Sequence, residues 1–193
     1  LTFLVNNKAK ILIISHVGRP KGKVIEGLSM APICEYLQKK LRQKIHLIKT
    51  DINNLNEKDL FKNEKENILM LENLRFFKGE EENDERFAKR LASFGDLYVN
   101  DAFSCSHRYH ASVYNITKFV PSYAGIQLNS EIVALKNITK NIVRPITCII
   151  GGSKISTKIN VIKNLISKFD NLIFVGGMAN NILKYKKFPI GKS

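Results

Sequence analysis

The sequence predicts an α/β fold of parallel βαβ units, and two observations carry that prediction. Short apolar runs alternate with amphipathic stretches along the whole chain, the pattern of strands joined by crossover helices. Three of those runs also end in a segment that holds an arginine, and open α/β sheets bind their ligands at the carboxyl ends of strands. The first run, Ile11-Leu12-Ile13-Ile14, leads into Ser15-His16-Val17-Gly18-Arg19-Pro20-Lys21-Gly22. Arg19 offers a planar fork for phosphate or carboxylate, His16 a donor that can carry charge near neutral pH, and Gly18 a close backbone approach. The residues alone leave open an ordinary loop with a solvated arginine. The second run, Ile68-Leu69-Met70-Leu71, precedes Glu72-Asn73-Leu74-Arg75-Phe76. The third, Leu97-Tyr98-Val99, precedes Asn100-Asp101-Ala102-Phe103 and His107-Arg108-Tyr109-His110. Only seven residues are arginine (19, 42, 75, 86, 90, 108 and 144), so scatter would not place three of them at strand ends.

In chain order, strands are expected near 10–15, 45–48, 67–71, 96–99, 146–150 and 172–175. Helices are expected near 28–43, 57–64, 84–94, 129–140, 155–169 and 177–185. Asp84 can cap a helix whose apolar positions Phe87, Leu91 and Phe94 fall three to four apart, with Gly95 as its stop. A domain boundary is placed at Asn129 to Pro145, where a mostly polar helix ends in Arg144-Pro145 and a new apolar strand begins.

That strand, Thr147-Cys148-Ile149-Ile150, runs into Gly151-Gly152-Ser153-Lys154, followed by a helical stripe of Ile155, Ile159, Ile162, Ile166 and Phe169. Two glycines before a helix expose backbone N–H groups suited to phosphate. Lys154 and Lys158 lie one turn apart near the helix start, where like charges and the helix dipole disfavour them; a bound polyphosphate would reverse both penalties. The residues alone leave open two lysines that simply reach into water. Gly191-Lys192-Ser193 imitates the end of a Walker A loop, but Lys186 stands where that motif needs glycine.

At 193 residues and 44% hydrophobic, the chain can bury a sizeable core. No apolar run reaches the ~18 residues of a membrane span. The net charge of +14 would suit a polyanion partner. Lysines are nevertheless spread over every expected helix, with no zinc-finger spacing or RNA-recognition signature, so neither nucleic acid nor membrane is expected as a partner. Cys34, Cys105 and Cys148 form no Cys-x-x-Cys pair, which favours a reducing cytoplasm and no protein-held metal.

Six segments stand in order: His16 to Gly22, Glu72 to Phe76, Val99 to Phe103, His107 to Ser112, Gly151 to Lys158 and Gly176 to Asn180. Together they resemble the signature set of the phosphoglycerate kinase family, over the whole chain. The resemblance implies that family's Rossmann-like parallel sheet in a substrate-binding domain over 1–128. It further implies an interdomain helix and hinge over 129–145, and the opening strands and helices of a second α/β domain, for nucleotide, over 146–193. The implied activity is glycolytic: reversible phosphoryl transfer between 1,3-bisphosphoglycerate and MgADP, giving 3-phosphoglycerate and MgATP, in a cytoplasmic, hinge-bending monomer.

By the same resemblance His16, Val17, Gly18, Arg19, Arg75 and Arg108 bind the glycerate substrate. Gly151, Gly152, Lys154, Lys158, Gly176 and Gly177 bind the nucleotide, and Lys154 is the catalytic residue that steadies the moving phosphoryl group. Magnesium (Mg2+) comes with ADP or ATP, and its protein-side contact is expected outside this sequence, as is the family's Asp-Phe-Asn substrate loop. The chain is therefore expected to be an incomplete piece, inactive alone. Val175 departs from the family's three glycines before Met178 and is expected to narrow the base pocket. The alternative reading is a noncatalytic basic module that binds anions or nucleic acid.

Overall fold

The computed structural model describes residues 1–63, 67–153 and 155–192, and the chain divides into two compact units, Leu1–Asn129 and Ser130–Ser193. In the first unit helix α1 (Thr2–Asn6) precedes strand β1 (Ile11–Ile13), helix α2 (Ala31–Leu41), strand β2 (His46–Ile48) and strand β3 (Ile68–Leu71). The strands form a parallel sheet in the order β1-β3-β2, with Ile11 beside Ile68 and Ile48 beside Leu71. All four residues of the central β3 are buried, because a parallel strand covered on both faces has no solvent side for a polar residue. Its alternation sends Ile68 and Met70 into one core with Ile11, Met30 and Cys34. Leu69 and Leu71 enter another with Ile48, Leu74, Phe87, Leu91 and Ile116.

The end of β3 is tied to the start of α2 by Glu72. Its carboxylate accepts from Met30 N at 2.6 Å, Asn73 N at 2.8 Å and Ser29 Oγ at 2.7 Å. Burial by itself would raise this carboxyl, but those three bonds and nearby Lys49 hold it below its ordinary 4.5. A carboxyl depressed by folding contributes stability above its unfolded pKa and loses it as pH falls through the folded one. Urea denaturation should therefore show the wild type losing more stability than Glu72→Gln between about pH 7 and about pH 3. Equal losses would mean that the carboxylate is not held.

Helices α3 (Lys78–Glu81) and α4 (Glu85–Ala92) follow, then strands β4 (Tyr98–Asn100) and β5 (Ser122–Ala124), a separate parallel pair. Asp84 caps α4, accepting from Phe87 N at 2.7 Å. Gly95 does not end it: α4 stops at Ala92, and the Ser93 hydroxyl donates to the Arg90 carbonyl at 2.8 Å. The helix expected over 57–64 is a single 3-10 turn, Glu57–Asp59, with residue 64 outside the described residues. Phe61 has a left-handed φ of 56° and packs against the Leu71 core, so burying its ring outweighs continuing the helix. β5 is exposed throughout and pairs through its backbone, which is why no apolar alternation announces it.

Helix α5 (Ile126–Thr139) carries the division between the units. In the second unit strand β6 (Thr147–Gly151) and helix α6 (Ile159–Ile166) precede strand β7 (Asn171–Val175), parallel to β6, and helix α7 (Gly177–Tyr185). Ile150, Ile162 and Met178 form its core, with Leu172 and Phe174 packed against them, while Ile149, Ile173 and Val175 lie exposed on the other face. The helix expected over 155–169 is interrupted. A 3-10 turn, Ile155–Thr157, precedes α6, and Lys158 between them is non-helical, with its Nζ donating to Gly151 O at 2.8 Å.

Candidate active site

Three strand ends of the first unit supply the candidate anion site. The loop after β1 is held by the segment after β3: Leu74 N donates to Ser15 O at 3.1 Å, and Gly22 N to Arg75 O at 3.1 Å. Asn73, fully buried, donates to Val17 O and to Leu28 O, each at 2.8 Å, and accepts from Arg75 N at 3.1 Å. One side chain thus fixes the loop that bears His16 and Arg19 and the turn that bears Arg75. Gly18 has φ 65°, and a Cβ there would lie 2.7 Å from Leu28 Cδ2, so this turn and the packing of Leu28 require the glycine. Val17 packs its side chain against the Met30 core, and Arg19 is exposed.

Arg75 is 3% exposed. Its Nη1 donates to Gly18 O at 2.7 Å, but buried Nε and Nη2 have no hydrogen-bond partner, and the Glu81 carboxylate reaches only to 3.7 Å from Nε. Unsatisfied buried donors of a charged group are costly, and an incoming oxyanion would supply the missing acceptors. Burial, then the charges of Arg75, His110 and Arg108, push His16 below its ordinary 6.5. Burial and then Arg75 push His110 down likewise, although Glu81 pulls it up. His16, Arg75, Arg108 and His110 therefore share one positive field, and both imidazoles are poised to take a proton when an anion arrives. The structure sets Arg75 and Arg108 within electrostatic reach of His16. It adds Asn73, His110 and Glu80, whose partners lie tens of residues away and leave no local signal.

The second unit has an open cleft of about 570 Å3 lined by Gly152, Ser153, Gly176, Gly177, Asn180, Asn181, Lys184 and Ile190. Gly152 and Gly176 have φ 150° and 65°, and Met178 N donates to Gly152 O at 2.9 Å, which locks the two glycine turns together. Gly177, Asn180, Asn181 and Lys184 share one face of α7, a spacing of three to four that could have drawn attention to the two asparagines. Val175 does not line the cleft; a Cβ on Gly151 would lie 2.8 Å from its Cγ2, so its side chain covers Gly151 instead. Lys154 lies outside the described residues. Among the described residues no group of His, Cys, Asp or Glu could hold a metal ion, and no helix is long and apolar enough to cross a membrane.

A sequence profile described as "Phosphoglycerate kinase" matches residues 1–193. The chain is 47% identical over 193 residues to the phosphoglycerate kinase of Wolbachia sp. subsp. Drosophila simulans, covering all of this chain and 48% of that protein. It is 45% identical over 185 residues to that of Bartonella bacilliformis, covering 96% of this chain and 46% of the relative. The solved phosphoglycerate kinase of Coxiella burnetii superposes with a TM-score of 0.82 at 38% identity, over 100% of this chain and 49% of that one. That of Pyrococcus horikoshii gives 0.86 at 26%, over 98% and 48%. The chain thus spans about half the length of the relatives it matches. Nothing in these matches supports the alternative of a noncatalytic basic module. With the profile match unbroken from residue 1 to residue 193, and the parallel α/β architecture shared with both solved relatives, this chain belongs to the phosphoglycerate kinase family.

Proposed function

We propose that the chain serves reversible phosphoryl transfer between 1,3-bisphosphoglycerate and MgADP, giving 3-phosphoglycerate and MgATP, in the cytoplasm. The observation that carries this reading is Arg75, a buried guanidinium with two donors left for an anion, set in a field shared with His16 and Arg108. In this reading residues 1–128 hold the glycerate, through His16, Arg19, Arg75, Arg108 and the Val17-Gly18 turn. Residues 129–145 form the interdomain helix and hinge, and 146–193 begin the nucleotide domain. Gly151, Gly152, Gly176, Gly177 and Lys158 hold nucleotide phosphates, and Lys154 neutralises the phosphoryl group in flight. Phosphoryl transfer asks little covalent work of a protein beyond positioning and charge neutralisation, which is what these residue types supply. The cleft offers the amides of Asn180 and Asn181 and the ammonium of Lys184, which suit phosphate and repel a cation; magnesium is accordingly read as part of the nucleotide substrate, with no step assigned to a protein-held ion. The three free cysteines accord with a reducing compartment.

Calorimetric titration of the chain with 3-phosphoglycerate, inorganic phosphate and MgADP tests the reading. Because folding depresses His16 and His110, an anion that raises them again draws in protons. Binding of 3-phosphoglycerate should show proton uptake in buffers of different ionisation enthalpy and should tighten as pH falls from neutrality. It should also exceed the binding of inorganic phosphate. Equal affinities for the two would sink the substrate assignment.

A further inference from the structure

We propose that Glu80 is a positioning residue that docks the Arg108 loop, and so sets where that guanidinium meets the anion. This inference rests on the reading of Arg108 as an anion ligand. Arg108 makes no side-chain hydrogen bond or ion pair among the described residues, so its place is set by the backbone that carries it. That backbone is fastened to Glu80 at two consecutive residues, Ala111 and Ser112. Glu80 is 2% exposed. Its Oε2 accepts from Ser112 N at 3.0 Å, its Oε1 accepts from Ser112 Oγ at 2.7 Å, and its own carbonyl accepts from Ala111 N at 2.9 Å. His110 Nδ1 lies 3.6 Å from Oε1.

The same turn reaches the chain again three residues on, where Asn83 accepts from Asn115 N at 3.3 Å and from Asn115 Nδ2 at 2.6 Å. Around the carboxylate stand Arg75, Glu81 and His110, with the phenol of Tyr98 on β4 pushed up to about 12, by burial first and then by Glu80. Burial also raises the Glu80 carboxyl against the pull of Ser112 and Arg75. An acid placed so deep is costly, and it is retained where donors must be fixed in direction. Here the donors belong to the loop of Arg108, and the acid is also the counter-charge beneath a cluster of cations.

Glu80→Gln keeps the shape but replaces one acceptor oxygen with an amide that repels a donor. Affinity for 3-phosphoglycerate should fall about tenfold, the scale of one charge-assisted bond. Arg108→Met should weaken binding more, and Glu80→Gln added to Arg108→Met should cost nothing further. In the ligand-free chain, hydrogen exchange at the Ala111 and Ser112 amides should quicken about tenfold in Glu80→Gln while β3 amides stay unchanged. Unchanged exchange at 111 and 112 overturns the docking, and an equal loss of affinity in the Arg108→Met background overturns the positioning of Arg108. If the wild type binds no 3-phosphoglycerate, the ligand reading fails and the positioning of a substrate-binding Arg108 fails with it, while exchange still decides the docking. Should Glu80→Gln not fold, Ser112→Ala, which deletes only the hydroxyl bond, carries the same comparisons.

Discussion

Asn73→Leu is expected to cost the chain at least about 3 kcal/mol of folding stability. Leucine fills a similar volume but leaves the carbonyls of Val17 and Leu28 and the amide of Arg75 facing an apolar side chain. Each buried group left unpaired costs about 1–3 kcal/mol, against a total stability of roughly 5–15 kcal/mol for a domain. The loss is therefore a large fraction of what holds the first unit folded. Urea denaturation of the wild type and the variant reads it directly. The loop of His16 and Arg19 should loosen with it, so binding of 3-phosphoglycerate should weaken too. A stability loss under about 1 kcal/mol would show that water enters and satisfies the three groups, and that Asn73 does not clamp the loop.

Arg75→Met should separate binding from folding. Removing one partner of a desolvated charge pair costs roughly 2–5 kcal/mol, so 3-phosphoglycerate binding should fall about thirtyfold or more. The ligand-free chain should be no less stable than the wild type. Methionine removes the two donors that Arg75 leaves unsatisfied, and replacing a buried charge with an apolar group of similar size is often neutral or stabilising. The lost bond to Gly18 O works against that gain and keeps the net change small. Thermal denaturation with and without 3-phosphoglycerate tests both halves, because a bound ligand raises the midpoint by mass action. If Arg75→Met lowered the midpoint of the free chain as well, Arg75 would be a structural residue and its unsatisfied donors incidental.

Local features of the chain were legible without the fold. The alternation of apolar and amphipathic runs marks β1, β3, β6 and β7 because strand and helix periods are properties of neighbouring residues. The Asp84 cap was legible for the same reason, since its partner Phe87 is three residues away. Strand β5 was not, because all three of its residues are exposed, and helix α1 was not, because its five residues are too few for a helical period to show. The breaks at Phe61 and Lys158 were also hidden: each follows from a tertiary contact, a ring packed into the core or an ammonium turned back to Gly151.

The candidate site divides along the same line. Residue type and strand-end placement marked His16, Arg19, Arg75 and Arg108 as anion-seeking, since a guanidinium or imidazole carries its chemistry wherever it lies. Only the tertiary structure decided that Arg75 is buried with donors unspent, that Gly18 answers to Leu28, and that Asn73 and Glu80 fasten the loops. Asn73 reaches Val17 across 56 residues and Glu80 reaches Ser112 across 32. Sequence by itself determined which chemistry was present and in what order. Burial and long-range hydrogen bonds decided which groups were desolvated and where they point, because both depend on chain segments that meet only when the sheet has formed.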